Sequence, residues 1–110
     1  MAGAIPYVDS KLRQRKIILF SKSYSPECKM IKKIISEHQL SERDFEIVEI
    51  EKRQDCVQIE NYFQVLCLTD ARSVPRLFVN GEYIGGEKEI VLLQKSGELK
   101  NIFAAAVATE

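Results

Sequence analysis

The chain has 110 residues, with 16 lysines and arginines set against 16 aspartates and glutamates. The length suits one domain over residues 1–110. The balanced charge argues against the electrostatic footprint of a nucleic-acid binder, and no apolar run reaches the roughly 18 residues of a membrane span.

The N-terminal stretch lacks the basic-then-apolar pattern of a secretory leader. Three cysteines are too few, and odd in number, for a secreted disulfide scaffold. A soluble, cytoplasmic protein is therefore expected.

From Tyr7 to Arg15 the residues are polar with spaced apolar positions. Val8 and Leu12 stand at i, i+4, which predicts a short amphipathic helix. "KIILF", Lys16 to Phe20, is short, apolar and β-branched and predicts a buried strand. From Pro26 the period changes: Cys28, Ile31, Ile34, Ile35 and His38 recur at helical spacing, with lysines and a glutamate between them. "FEIVEI", Phe45 to Ile50, returns to strand character, and Asp55 to Leu66 is helical again.

"VPRLFV" and "EYIGG" are then separated by Asn80-Gly81, a strong local hairpin signal. Glu87 to Gln94 and Glu98 to Val107 read as two helices parted by Ser96-Gly97. Two strands joined by a helix form a parallel βαβ unit with a right-handed crossover, and the hairpin adds an antiparallel pair. The expected fold is α/β, a four-stranded mixed sheet with helices on both faces.

The chemistry concentrates in "LFSKSYSPECKM", Leu19 to Met30. Ser25 before Pro26 is a natural N-cap with proline at the first helical position. As a nucleophile it would need an adjacent general base. The only histidine, His38, lies down the same helix at nearly ~20 Å, from a rise of about 1.5 Å per residue, so a serine–histidine pair is excluded.

Cys28 stands one turn into the helix and has two readings. It is a small apolar residue on the buried face, or a thiol made acidic by the helix N-terminus; Glu27 beside it opposes the thiolate. Cys56 and Cys67 read as packing residues, and no cysteine or histidine spacing suits a metal. Val74-Pro75 is an ordinary loop proline or an unusual X-Pro isomer at a strand start. Gly85-Gly86 before Glu87 is a turn plus a cap, or a place where backbone N–H groups approach an anion.

Taken together, these segments resemble the glutaredoxin family, which has a thioredoxin-like fold. "FSKSYSPEC" resembles the end of the family's first strand and its Cys-Pro-Tyr-Cys motif, with Ser25 for the first cysteine and Glu27 for the tyrosine. "ARSVPRLFVNGEYIGG" resembles the Thr-Val-Pro segment with Ser73 for threonine, and "LQKSGEL" is close to a C-terminal family motif.

The resemblance implies a cis peptide before Pro75 and a groove for glutathione. Lys22 would meet the glycine carboxylate, as would Glu60, at a position where the family often has Gln or Arg. Ser73, Val74 and Pro75 would flank the cysteinyl unit through the Val74 backbone. Gly86, Lys88 and Glu89 would hold the γ-glutamyl end. Two carboxylates suit a lysine and a helix N-terminus.

The implied activity is glutathione-dependent thiol–disulfide oxidoreduction, with glutathione and protein disulfides or glutathionylated proteins as partners. The chain is expected to be a monomer that binds neither nucleic acid nor membrane and holds no metal. Ser25 stands where the family has its nucleophile and Cys28 at the resolving position, so activity is expected to be impaired. Two other readings stand beside this one. The first is a non-catalytic module binding glutathione or a protein on the same fold. The second is an iron–sulfur carrier, disfavoured because Ser25 removes a thiolate ligand.

Overall fold

The computed structural model describes residues 3–67 and 73–108. Helix α1 (Ala4–Gln14) precedes strand β1 (Ile17–Ser21), helix α2 (Pro26–Ser36), strand β2 (Phe45–Glu49) and helix α3 (Cys56–Leu66). The hairpin β3 (Arg76–Val79) and β4 (Glu82–Gly85) follows, then α4 (Glu87–Ser96) and α5 (Glu98–Ala108).

The four strands lie in the order β2-β1-β3-β4. β1 pairs parallel with β2, from Ile17 opposite Phe45 to Ser21 opposite Glu49. It pairs antiparallel with β3, which pairs antiparallel with β4. This is the expected mixed sheet.

β1 owes its central place to composition. All five of its residues are buried, as an apolar run covered on both faces requires. Successive side chains point to opposite faces. Ile18 and Phe20 therefore join Val8, Ile59, Phe63 and Phe78 in one core beneath α1 and α3. Ile17 and Leu19 join Ile31, Ile35, Leu77, Ile90 and Phe103 in the other, beneath α2, α4 and α5.

Phe20, Phe63 and Phe78 form an aromatic cluster, with ring centroids 5.1 Å, 5.7 Å and 6.3 Å apart, within the preferred range for such pairs. The hairpin turns at Asn80 (φ 51°) and Gly81 (φ 80°), the positive-φ pair that a two-residue primed turn demands.

Most element edges differ from the sequence reading by one to three residues, and two of the differences follow from the chemistry of helix ends. α1 begins at Ala4, before Tyr7, because Pro6 falls within the first turn, where a missing N–H costs nothing. α2 stops at Ser36 and leaves His38 beyond it; Gln39 takes φ 53° just after the helix. The stretch "VLCLTDARSVP", about two residues longer than the pattern the resemblance implies, falls partly on residues 68–72, outside the described residues.

Candidate functional site

The carboxyl end of β1 and the N-terminus of α2 meet at Ser25–Cys28, a location where α/β sheets commonly hold ligands. Ser25 is the N-cap of α2. Its Oγ accepts from the Cys28 backbone N–H at 3.3 Å, and Pro26 occupies the first helical turn. The same hydroxyl donates to Glu27 Oε1 at 3.0 Å. Both capacities of the oxygen are thus in use, and the capping role read from the sequence is present. A carboxylate is too weak a base to ionise a serine hydroxyl, so the contact does not create a nucleophile.

Cys28 is 0% exposed and belongs to the core under α1 and α3. Its Sγ accepts from the Lys22 backbone N–H at 3.4 Å. His38 is far from both: its Nε2 contacts Gln94 Oε1 at 2.8 Å, and its ring meets Phe103 edge-on.

Lys22 is held in an ion pair within the chain. Its ammonium donates to Glu60 Oε2 at 2.7 Å, with the two side chains only 19% and 14% exposed. The sequence assigned both residues to one ligand carboxylate; the fold pairs them with each other. Glu60 raises the pKa of Lys22, chiefly through this hydrogen bond. Nearby, Ser23 donates its backbone N–H and hydroxyl to Glu51 and holds that carboxyl below its usual range.

On the other side of the turn lies an open groove of about 660 Å³, lined by Glu27, Val74, Pro75, Tyr83, Gly86 and Lys88 among others. The Val74–Pro75 peptide is cis, as the resemblance implies. Val74 and Pro75 are buried and Ser73 is exposed. At the far wall Gly86 caps α4, and its N–H donates to Glu89 Oε1 at 2.8 Å. Glu89 therefore serves the helix start, while Lys88 is exposed. A Cβ on Gly85 would fall 2.3 Å from Glu89 Cβ, and one on Gly86 would fall 3.3 Å from the Pro75 carbonyl oxygen. Close packing, rather than a special φ, requires glycine at Gly85.

Arg76 and Tyr83 were not singled out from the sequence. Arg76 is 5% exposed; its Nε donates to the Ser73 carbonyl at 2.6 Å and its Nη1 to the Tyr83 hydroxyl at 2.6 Å. The guanidinium thus ties the loop before Pro75 to β4. The signal was present: a charged residue inside the apolar run "PRLFV" must find partners if the strand is buried.

The other two cysteines are partly buried thiols. Burial raises the pKa of Cys56, with Glu60 adding to the effect, and pushes that of Cys67 up to about 11.

The family model for glutaredoxin matches residues 17–84. Glutaredoxin-1 of Homo sapiens is 36% identical over 93 residues, covering 84% of this chain and 86% of that protein. Glutaredoxin-1 of Oryctolagus cuniculus is 34% identical over the same length and coverage. Among solved structures, oxidized glutaredoxin 2 from Chlamydomonas reinhardtii superposes with a TM-score of 0.80 at 30% identity, covering 98% of this chain and 100% of that one. A buckwheat glutaredoxin–glutathione complex shares the fold, with a TM-score of 0.81 at 22% identity over 97% and 93% of the two chains.

The sheet, the cis-proline loop and the helix opening at Ser25 define a thioredoxin-like fold of the glutaredoxin type. The chain belongs to the glutaredoxin family.

Proposed function

We propose that this chain offers a glutathione groove across the Ser25–Cys28 turn but is impaired in thiol–disulfide exchange. One observation carries the reading: the first motif position is a serine whose hydroxyl is committed to capping α2 and to Glu27, while Cys28 behind it is fully buried. Glutathione or a glutathionylated protein would lie between the Lys22–Glu60 pair and the start of α4. The cysteinyl unit would run along Val74 and Pro75 beside Ser73, and the γ-glutamyl end would approach Gly86, Lys88 and Glu89. The positive end of the α4 dipole and exposed Lys88 favour an anion there, while Glu87 and Glu89 in the first turn oppose it. Every residue assigned to the site comes from one chain, which accords with a monomer. The balanced charge supports small-molecule and protein partners over nucleic acid. Among the described residues no helix is long and apolar enough to cross a membrane. A cytoplasmic location accords with the three free thiols.

The exchange reaction needs a thiolate at residue 25. Such a thiolate attacks the glutathionyl sulfur of a mixed disulfide and releases the target thiolate. A second glutathione thiolate then attacks the new mixed disulfide, restores the residue-25 thiolate and leaves as glutathione disulfide. A serine oxygen forms no comparable bond, and Cys28 is not placed to substitute. The donor set does not fit an iron–sulfur cluster either, because a hydroxyl replaces the thiolate ligand.

The test is a glutathione–disulfide exchange assay on this chain and on Ser25→Cys. The variant should be faster by orders of magnitude. Equal rates in the two proteins would sink the assignment of Ser25 as a lost nucleophile.

The non-catalytic binding module is the second reading. The Lys22–Glu60 contact favours it, because that contact changes what the groove can hold without restoring any thiol chemistry.

A further inference from the structure

The two sides of the Ser25–Cys28 turn offer different chemistry. On the groove side, the start of α4 is flanked by exposed Lys88. On the opposite side, beyond the groove's lining, Lys22 sits against the turn through its N–H to Cys28 Sγ. Its ammonium is already held by Glu60 at 2.7 Å in a largely buried pair.

Two carboxylates are held by serines of the turn that follows Lys22. Glu51 binds Ser23, and Glu27 accepts from Ser25. The Arg53 guanidinium is committed to Asp55, with contacts of 2.8 Å and 3.0 Å. A free carboxylate arriving here would share one ammonium with Glu60, at a distance where like charges repel strongly in partly buried surroundings.

An amide meets no such repulsion. Lys22 still has N–H donors to give, and the Glu60 carboxylate can accept more than one hydrogen bond. The pair therefore presents a donor beside an acceptor, the complement of an amide's C=O and N–H. Both contacts would be charge-assisted and stronger than neutral ones.

Resting on the glutathione-groove reading, we infer that the Lys22–Glu60 pair is a specificity determinant. It selects a γ-glutamyl-cysteinyl-glycine unit whose glycine is in amide linkage over one that ends in a free carboxylate. The ligand class is an amidated or chain-extended cysteinyl peptide.

The test compares two probes on the full chain, reduced glutathione and its glycine amide. Each is titrated at neutral pH and low salt and followed by calorimetry or by amide chemical shifts. On the native chain the glycine amide should bind about tenfold more tightly than the free acid, the scale of one unscreened charge contact. In Glu60→Gln, which keeps size and shape, Lys22 is released. The free acid should then gain about tenfold and the preference should vanish or reverse. In Lys22→Gln the free acid should weaken further against Glu60 while the amide keeps most of its affinity.

Tighter binding of the free acid by the native chain would overturn the inference and leave the glutathione groove standing. An unchanged acid-to-amide ratio in Glu60→Gln would do the same. If neither probe binds at millimolar concentration, the groove reading fails and the inference falls with it.

Discussion

At the residue scale the three cysteines separate by burial and by charge. Cys28 has no exposed surface. Cys56 and Cys67 are partly exposed, yet their pKa values are raised, that of Cys67 to about 11 against an ordinary 9.0. Near neutral pH the thiolate fraction of Cys67 is thus about a hundredfold below that of a free thiol. Native alkylation followed by peptide mapping should find Cys28 unlabelled and Cys67 labelled slowly. Rapid, selective labelling of Cys28 would revive a one-cysteine mechanism. The same shift has a thermodynamic side. A raised pKa means that the folded state favours the protonated thiol. The corresponding stabilisation is complete below pH 9 and is lost as pH rises from 9 toward 11. Cys67→Ser should therefore flatten the fall in denaturant midpoint across that window.

Residue by residue, the sequence exposed the site's backbone roles better than its charge partners. The capping by Ser25 and the cis bond before Pro75 followed from local chemistry and a motif. The pairing of Lys22 with Glu60 did not, because the two lie 38 positions apart. Both were matched to the same ligand group, and nothing local says that they neutralise each other. Arg76 was hidden for a similar reason: its partners, Ser73 and Tyr83, lie across a loop and a hairpin.

At the element scale, periodicity gave the strands and helices their order, and turn chemistry gave the hairpin. The edges moved where a rule of helix ends competed with hydrophobic spacing, as at Pro6 and after Ser36. The β4–α4 junction shows how tightly two elements can be joined. Gly85 ends β4, Gly86 caps α4, and Glu89 folds back to accept the Gly86 N–H. Gly85→Ala would force a methyl group to within 2.3 Å of Glu89 Cβ. Because Cβ is fixed to the backbone, no rotamer of Glu89 relieves this contact, and the start of α4 would have to shift away from β4. Overpacking of this kind costs about 1–3 kcal/mol. Urea unfolding should show that loss with an unchanged m-value, since the surface exposed on unfolding hardly differs. A stability equal to that of the native chain would show that the junction is looser than its packing implies.

At the scale of the whole molecule the sheet divides the interior into two cores that share no buried side chain among the described residues. The division begins in β1, where Ile18 and Phe20 face α3 while Ile17 and Leu19 face the helices opposite. Ile59 on α3 belongs to the first core and Ile90 on α4 to the second, and both are fully buried. Removing one methylene from either leaves a small cavity and should cost about 0.5–1.5 kcal/mol. Helix-on-sheet layers on opposite faces put the two sites well beyond ~10 Å, with no partner in common, so their effects should add to within about 0.5 kcal/mol. The doubly substituted Ile59→Val, Ile90→Val protein should therefore lose the sum of the single losses, measured by denaturant unfolding on all four proteins. A departure larger than about 0.5 kcal/mol would show that the strands transmit packing strain from one face to the other. The groove would then feel substitutions beneath α4 and α5 as well as those beneath α3. Additivity would instead confine such effects to the core that contains Cys28, Val74 and Ile59, the one on which the Ser25–Cys28 turn rests.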